Sequence, residues 1–351
     1  MRIFITGIAG FLGSNIAEAA IMKGHTVFGN DNLVGGDEKN VPDQATAWTW
    51  DCTDFEMMKG MLIIAKPDVI IHTACYPHEG LSVFSPIQVC DSVSRGTNVT
   101  LAAAIDLKNQ GKIPLQRFIN MSSMARYGIP ECDGGWAGRF EEWMKPRPKD
   151  PYGAHKYAAE LSVSLLCQIH GLEWVNLIPH NIYGPRQKYN DPHRNVIAIM
   201  INRVLRGEPI VVYGDGNQTR CFSHINEIMP MIIECIDSPL VCGETFNIGP
   251  DEGEVTINEL AELVQKIHLH RTGKHAEIVH TAARPSEVKH ATCSSKKIRE
   301  TLFRADDVAL HMGVSILYDW ITEQGPKDWD WGAHNLEIMS PLTPVTWLGK
   351  L

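Results

Sequence analysis

The sequence predicts an α/β protein with a Rossmann-type, doubly wound parallel sheet and a smaller α/β lobe in its C-terminal half. Three observations predict this fold. Short apolar runs alternate with helical patterns, the first run ends in a glycine-rich turn, and the run at 68–74 is continuously apolar, like a strand buried on both faces. Predicted strands occupy residues 2–6, 26–31, 48–52, 68–74 and 117–121, with a helix at 96–107.

Composition and charge limit the possible functions. The 351 residues are sufficient for one large domain or a domain with a smaller lobe, and 44% are hydrophobic and 21% charged, as in globular proteins. The net charge of −9 argues against nucleic acid or an anionic membrane as a partner. No apolar run is long enough to span a bilayer and the N-terminus resembles a strand, not a signal peptide.

The nine cysteines include no C-x-x-C pair, and the histidines include no H-E-x-x-H motif. An odd number of scattered cysteines is typical of a reducing compartment and argues against a disulfide framework or a structural zinc site. We therefore expect a cytoplasmic protein without a bound metal.

The first predicted strand leads into Gly7, Gly10 and Gly13, and a helical pattern follows. Strand, glycine turn and helix are the parts of a dinucleotide phosphate site, in which glycines permit the tight turn, the approach of the pyrophosphate and close helix packing. The spacing is G-x-x-G-x-x-G. Phe11 and Leu12, which open the helix, complete the predicted phosphate site.

The next two predicted strands end in acidic residues. Asp31 falls where a carboxylate binds the adenosine ribose hydroxyls, and it would repel a 2′-phosphate, which favours NAD over NADP. Asn32 follows it, and the third strand ends at Asp51 and Cys52, which we expect on the adenine side.

Tyr152 and Lys156 are four residues apart, so on a helix they share one face. A phenol has a pKa of about 10, and a catalytic tyrosine base needs it lowered. A fixed ammonium about 5 Å away, together with an oxidised nicotinamide, is expected to lower it. Thr73 and Ala74 end one predicted strand and Ser123 follows another, at the edge of the sheet where ligands bind, whereas His72 is expected in the core.

Taken together, these residues resemble the extended short-chain dehydrogenase/reductase family, and within it the nucleotide-sugar epimerases and dehydratases. The resemblance covers residues 1 to about 320 and implies NAD as cofactor, Ser123, Tyr152 and Lys156 as the catalytic set, and a homodimer. One departure stands at residues 93–97, where Val-Ser-Arg-Gly-Thr replaces the family's N-V-x-G-T. Ser92 or Ser94 is the candidate to replace that asparagine.

The resemblance also implies a nucleotide-sugar substrate and the side chains that bind it. Asn181 would contact the sugar or its phosphates, and two arginines would bind the diphosphate through paired hydrogen bonds. The substrate residues expected from the resemblance are Ser123, Asn181, Asn195, Tyr213 on the base, Arg220 and Arg284 on the diphosphate, and Glu287 on the nucleotide ribose.

Three regions follow from these assignments. Residues 1–176 are expected to form the NAD-binding domain, joined by later segments at about 215–250, and residues 177–327 to form most of the substrate lobe. Residues 328–351, which carry Trp329, Trp331 and Trp347, lie beyond the resemblance and are expected to form a tail that either packs on the chain or crosses to a second subunit.

The residues after Ser123 discriminate between reactions. In the resembling dehydratases an Asp-Glu pair follows the catalytic hydroxyl, and decarboxylases and 3,5-epimerases carry Glu or Cys at the second position. This chain has Met124 and Ala125, neither of which can transfer a proton. The prediction is therefore a nucleotide-sugar 4-epimerase. The resemblance further implies a UDP-sugar as substrate and Ala291 as a small gate that admits 2-acetamido sugars. A reductase, dehydrogenase or decarboxylase on the same scaffold, or a non-catalytic NAD sensor, are the alternatives.

Overall fold

A computed structural model describes residues 1–128, 138–251, 253–285, 287–302, 307–331 and 336–348. Their strands are β1 (Arg2–Thr6), β2 (Thr26–Asp31), β3 (Thr46–Thr49), β4 (Val69–His72), β5 (Arg117–Met121), β6 (Glu173–Pro179), β7 (Ile182–Tyr183), β8 (Ile210–Tyr213), β9 (Thr219–Arg220), β10 (Ser223–His224), β11 (Glu244–Ile248), β12 (Val255–Thr256), β13 (Ile278–Thr281) and β14 (His290–Ala291). Their α-helices are α1 (Phe11–Met22), α2 (Phe55–Ala65), α3 (Pro86–Val89), α4 (Gly96–Asn109), α5 (Pro151–Ile169), α6 (Val196–Leu205), α7 (Ile225–Glu234), α8 (Ile257–Thr272), α9 (Lys296–Leu302) and α10 (Leu310–Gln324).

Seven parallel strands form the main sheet in the order β11-β6-β5-β4-β1-β2-β3, which confirms the predicted doubly wound α/β fold. The order reverses between β1 and β4, and such a reversal opens a crevice at the carboxyl ends of the strands. Apolar clusters cover both faces: α1, α7 and α9 contribute to one, and α2, α4 and α5 to the other. Burial on both faces explains why β4 reads as an uninterrupted apolar run.

The smaller lobe has its own core between α6, α8 and α10 and the pair β8–β13. β9 pairs with β12 and β14, and β7 pairs with β10. α7 packs on α1, and β11 is the outer neighbour of β6. The boundary predicted at residue 176 falls within β6, which continues to Pro179.

Two predicted elements differ from the structure. The third strand is Thr46–Thr49 instead of residues 48–52. It is an edge strand with largely exposed side chains, so its burial pattern carries little information about its ends. The helix predicted to begin at Gly96 continues a helical segment from Pro86, through a π-helical turn at Cys90–Arg95.

Within the described ranges, no helix has the length and apolarity needed to cross a membrane. The cysteines in those ranges are all free.

Candidate active site

A cavity of about 840 Å³ lies at the carboxyl ends of the main-sheet strands and extends into the smaller lobe. Every residue that the sequence predicts for the cofactor, catalytic and substrate sites lines it. The fold thus brings side chains from distant parts of the chain to one crevice, where strand order reverses.

The glycine turn at the start of α1 forms one end of this cavity. Gly7 has a φ of 73°, a left-handed conformation that glycine adopts without strain. A Cβ at Gly13 would lie 2.1 Å from the Gly7 carbonyl oxygen, so only glycine permits this close packing. Gly10 caps α1 without a side-chain hydrogen bond, and the first turn carries no acidic residue. The N-terminal amides at Phe11 and Leu12 therefore form a backbone cradle that fits a dinucleotide pyrophosphate.

Asp31 lies beside this cradle and is buried. Its carboxylate accepts hydrogen bonds from the backbone N–H groups of Ala9, at 3.0 Å, and Leu33, at 2.8 Å. Burial raises the pKa of Asp31, and these hydrogen bonds, together with the nearby Arg194, act against that rise. The carboxylate thus braces the glycine turn, in addition to lining the cavity as predicted.

The predicted adenine-side residues lie next to one another. The Asn32 side-chain amide donates to Asp51 Oδ2 at 2.8 Å and to the Tyr76 hydroxyl at 3.3 Å. Cys52 is buried, and burial raises the pKa of its thiol to about 12, so it acts as a neutral wall. Thr73 donates from its hydroxyl to the Thr6 carbonyl at 2.7 Å, which fixes the loop that follows β4.

Ser123, Tyr152 and Lys156 meet where β5 ends and α5 begins. The Ser123 hydroxyl lies near enough to the Tyr152 phenol to lower the pKa of that phenol. The Lys156 ammonium lies 5.8 Å from the centre of the Tyr152 ring and donates to the Met121 carbonyl at 2.8 Å. Tyr152 is 6% exposed and Lys156 5%. A hydroxyl, a phenol and an ammonium in this arrangement can exchange a proton with a ligand hydroxyl in the cavity.

The pKa of Tyr152 is raised in this structure, whereas we predicted that Lys156 and an oxidised nicotinamide together lower it. Burial raises it well above its ordinary value, and Cys75, Glu79 and Asp150 act in the same direction. The Ser123 hydroxyl lowers it, but less than burial raises it. The Lys156 ammonium is engaged with a carbonyl oxygen, and removing a phenolate from water costs more than this arrangement recovers.

A buried network of hydrogen bonds, which we did not predict, joins α5 to the turn after β5. Arg126 Nη1 is 2.5 Å from Glu160 Oε2, and the Ser122 hydroxyl donates to the other oxygen of the same carboxylate. Burial raises the pKa of Glu160 to about 7, although Arg126 favours its ionised form. This network joins the turn after β5 to α5, and it thereby fixes Ser123 relative to Tyr152.

Asp150 is a second residue that we did not predict. It caps α5, because its Oδ1 accepts from the Gly153 N–H at 2.8 Å, and it lines the cavity. Burial and the charge of Glu79 raise its pKa to about 7. Its position before Pro151 is a helix-start signal that could have identified it from the sequence.

The predicted substrate residues of the smaller lobe form one cluster. Arg284 Nη2 lies 2.8 Å from Glu287 Oε1, and Arg220 Nη2 lies 3.6 Å from the same oxygen. The Arg284 guanidinium also faces the Tyr213 ring at 5.0 Å. Burial lowers the pKa of Arg220, with Glu79 and Glu287 acting against that change. Two adjacent guanidinium groups with planar sets of N–H donors can offer paired hydrogen bonds to an anionic ligand in this cluster.

The two predicted asparagines are partly engaged by the backbone. The Asn181 side-chain amide donates to the Cys221 carbonyl at 2.8 Å. Asn195 caps α6 and donates to the Ile182 carbonyl at 2.9 Å. Both line the cavity, so their positions are consistent with contact to a ligand, but much of their hydrogen bonding maintains the fold.

Three further expectations concern single residues. Ser92 lines the cavity, whereas Ser94 is bonded to His155, so Ser92 is the better replacement for the missing asparagine. His72 is a buried core histidine between the Thr6 and Thr97 hydroxyls. Ala291 packs in an apolar cluster with Met124 and Tyr127 and does not line the cavity, so the structure gives no support for its predicted gating role.

The side chains in the described parts of the chain include no group of three or more His, Cys, Asp or Glu that could hold a metal ion. The residues at the glycine turn fit a dinucleotide instead, since they offer backbone amides and a carboxylate rather than metal ligands.

Comparisons with known proteins agree with this geometry. The chain is 28% identical over 323 residues to the putative UDP-glucose 4-epimerase of Methanocaldococcus jannaschii, covering 91% of this chain and 98% of that protein. It is also 28% identical to the UDP-N-acetyl-alpha-D-glucosaminuronate decarboxylase of Bacillus cytotoxicus, covering 92% and 98%.

A solved UDP-glucose 4-epimerase with UDP-glucose from Thermotoga maritima superimposes with a TM-score of 0.82 at 27% identity, covering 92% of this chain and 99% of that one. Residues 3–249 match the family model of NAD-dependent epimerases and dehydratases. Relatives with different reactions share this similarity, so it identifies the family and the cofactor but not the reaction. The chain belongs to the NAD-dependent epimerase/dehydratase family, and its cofactor is NAD.

Proposed function

We propose that this protein is a nucleotide-sugar 4-epimerase that acts on a UDP-sugar. The observation that carries the proposal is the position of Met124 and Ala125 beside Ser123, Tyr152 and Lys156. Both side chains are buried and neither can transfer a proton. The site therefore has the groups needed to oxidise and reduce one carbinol, and it lacks at these positions the acid–base pair that an elimination needs.

In this reaction Tyr152 acts as the phenolate, the form that the positive charge of Lys156 and that of oxidised NAD, when bound, would favour; its oxygen takes the proton of the sugar 4-hydroxyl and later returns one. Ser123 hydrogen-bonds the same sugar oxygen and keeps it against the phenol. Lys156 places a positive charge beside the Tyr152 ring, which stabilises the phenolate before it takes the proton and again after it returns one. NAD, when bound, supplies the hydride acceptor and donor for C4. The sugar must turn over in the cavity as a 4-keto species before reduction at its other face.

Arg220, Arg284, Glu287 and Tyr213 support a nucleoside diphosphate as the handle of the substrate. The two guanidinium groups suit paired hydrogen bonds to phosphate oxygens. Glu287, which lies between them, can exchange these ion pairs for ribose hydroxyls when phosphate binds. UDP is the nucleotide proposed because proteins named for UDP-sugars appear among the similar proteins.

The test uses purified protein with UDP-, GDP- and dTDP-sugars, in one series without added cofactor and in a second with added NADH or NADPH, and reads the products by NMR. Inversion at C4 with no net consumption of NAD is expected. Stoichiometric consumption of added NADH or NADPH would indicate a reductase, release of carbon dioxide a decarboxylase, and no conversion with retained NAD a non-catalytic sensor.

We also propose that the chain forms a homodimer through α5. Leu161, Leu165 and Ile169 are 43%, 56% and 74% exposed and recur every four residues, so they form an apolar stripe on one face of this helix. A second copy is the proposed partner because isologous pairing covers the same stripe on both subunits. Leu165→Asp should convert a dimer to a monomer in light scattering, whereas Leu269→Asp on α8, which is 44% exposed, should not.

A further inference from the structure

The C-terminal tail, residues 336–348, packs against the substrate half of the cavity. Thr346 Oγ1 lies 2.5 Å from the Tyr213 hydroxyl at the end of β8. The Trp347 indole is 7% exposed and meets the His193 ring edge to face, with 4.8 Å between the ring centres. Glu337, Thr346 and Trp347 all line the cavity. The tail therefore contributes side chains to the ligand site itself.

The tail is also held by residues 79–89, a segment that ends in α3. The Glu337 carboxylate accepts hydrogen bonds from the Ile87 and Gln88 N–H groups, each at 2.8 Å. The N–H groups of Glu337 and Ile338 both donate to the Phe84 carbonyl at 2.9 Å. This segment lies on the main-sheet side of the crevice, so the tail connects the two walls between which a substrate would lie.

Trp347 also packs against Gly80 and Phe84 of this segment. A Cβ on Gly80 would lie 3.3 Å from Trp347 Cη2, and the Phe84 ring meets the indole edge to face at 5.9 Å. The indole is thus fixed by close packing on several sides. A side chain that is already fixed loses little conformational freedom when a ligand binds, so more of its contact energy appears as affinity.

The chemistry next to the tail matches the two parts of a nucleoside diphosphate. Arg284 faces the Tyr213 ring at 5.0 Å and shares Glu287 with Arg220. Guanidinium groups that can bind phosphate therefore lie next to an aromatic ring, Tyr213, that can contact a base. The Tyr213 hydroxyl is hydrogen-bonded to Thr346.

We propose that Thr346 and Trp347 form the outer wall of the nucleoside part of the substrate site, an inference that rests on the proposed function for the identity of the ligand. Thr346 orients Tyr213 through its hydroxyl, and the Trp347 indole covers the nucleoside. The tail thereby sets the affinity for the nucleoside diphosphate and leaves the proton transfer at Tyr152 unchanged. Such uniform binding raises KM when it is lost, with little change in kcat.

The test measures UDP, dTDP and GDP binding by calorimetry to the full-length, NAD-loaded protein. Trp347→Ala should weaken binding of the preferred nucleotide about three- to tenfold, the range expected for one aromatic contact. Thr346→Val should weaken nucleotide binding about two- to tenfold through loss of one hydrogen bond. Thr346→Ser keeps the hydroxyl and should bind nucleotide as tightly as the unmodified protein. Trp143→Ala is the matched control, because Trp143 is 77% exposed and does not line the cavity.

Unchanged nucleotide affinity in both Trp347→Ala and Thr346→Val would overturn the inference. If Trp347→Ala loses NAD or unfolds, Trp347→Phe and Thr346→Val decide in its place. The proposed function can fail separately. If the tail variants weaken UDP binding but the protein does not invert C4, the epimerase proposal alone is refuted. If the protein inverts C4 but the Thr346 and Trp347 variants bind nucleotide with unchanged affinity, this inference alone is refuted.

Discussion

The Lys156 ammonium lies 2.8 Å from the carbonyl oxygen of Met121, the last residue of β5. This hydrogen bond ties the helix that carries Tyr152 to the strand that precedes Ser123. The three groups are therefore positioned by one junction between sheet and helix, and the ammonium has little freedom to move because it is 5% exposed.

Tyr152→Phe should reduce kcat on the preferred nucleotide sugar by about 10² to 10⁴, because it removes the group that we propose transfers the proton. The phenyl ring keeps the packing, so the melting temperature and the NAD content should stay close to those of the unmodified protein. Ser123→Ala should reduce kcat less, because water can take over part of its hydrogen bonding. Turnover of Tyr152→Phe at the normal rate would rule out Tyr152 as the base.

Asp150→Asn should raise thermal stability at pH 8 but not at pH 4. The folded pKa of Asp150 is about 7 against an ordinary 3.8, so its contribution to stability is fully present below the ordinary value and is lost as the pH rises through about 7. Asparagine keeps the cap on α5 and cannot ionise. The melting temperature should therefore exceed that of the unmodified protein by about 2 °C or more at pH 8.

Asp54→Asn is the matched control for that experiment. Asp54 caps α2 through the Met57 N–H, and this hydrogen bond lowers its pKa instead of raising it. Its replacement should not stabilise the protein at pH 8. An equal change in melting temperature for Asp150→Asn at both pH values would contradict the prediction.

Arg126→Met should lower the free energy of unfolding by about 3 kcal/mol at pH 8, since it leaves the Glu160 carboxylate, whose pKa burial already raises to about 7, without its buried counter-charge. Urea denaturation measures this loss, with an unchanged slope as the sign of intact two-state unfolding. Glu262→Gln is the control, because its pair with Lys266 is exposed and is worth about 0.5 kcal/mol or less. Similar losses in the two variants would mean that the buried pair has no special role.

Gly153→Ala should reduce both activity and stability. A Cβ at Gly153 would lie 2.3 Å from the Ala125 carbonyl oxygen, so the turn that follows Ser123 must move away from α5. Gly60→Ala on α2 is the control, because nothing lies within 4 Å of its added Cβ. That substitution should be neutral or stabilise the protein by about 0.5–1 kcal/mol. Full activity in Gly153→Ala would show that Ser123 tolerates the displacement.

The sequence by itself determined the sheet, the NAD cofactor and the residues that line the site. The reason is that these depend on local patterns: β1 and the glycine turn are continuous in the chain, and Tyr152 and Lys156 are one helical turn apart. The bounds of β3 were wrong because an edge strand has too little burial to show its ends.

Only the tertiary structure decided the pKa of Tyr152, the buried ion pair of Glu160, and the contact of the C-terminal tail with the substrate half of the cavity. The pKa of Tyr152 depends on how deeply the phenol is buried, which no spacing between residues reveals. Glu160 meets Arg126 and Ser122 across 34 and 38 residues, and Thr346 reaches Tyr213 across 133. Such contacts join segments that carry no shared local pattern, so they appear only when the chain has folded.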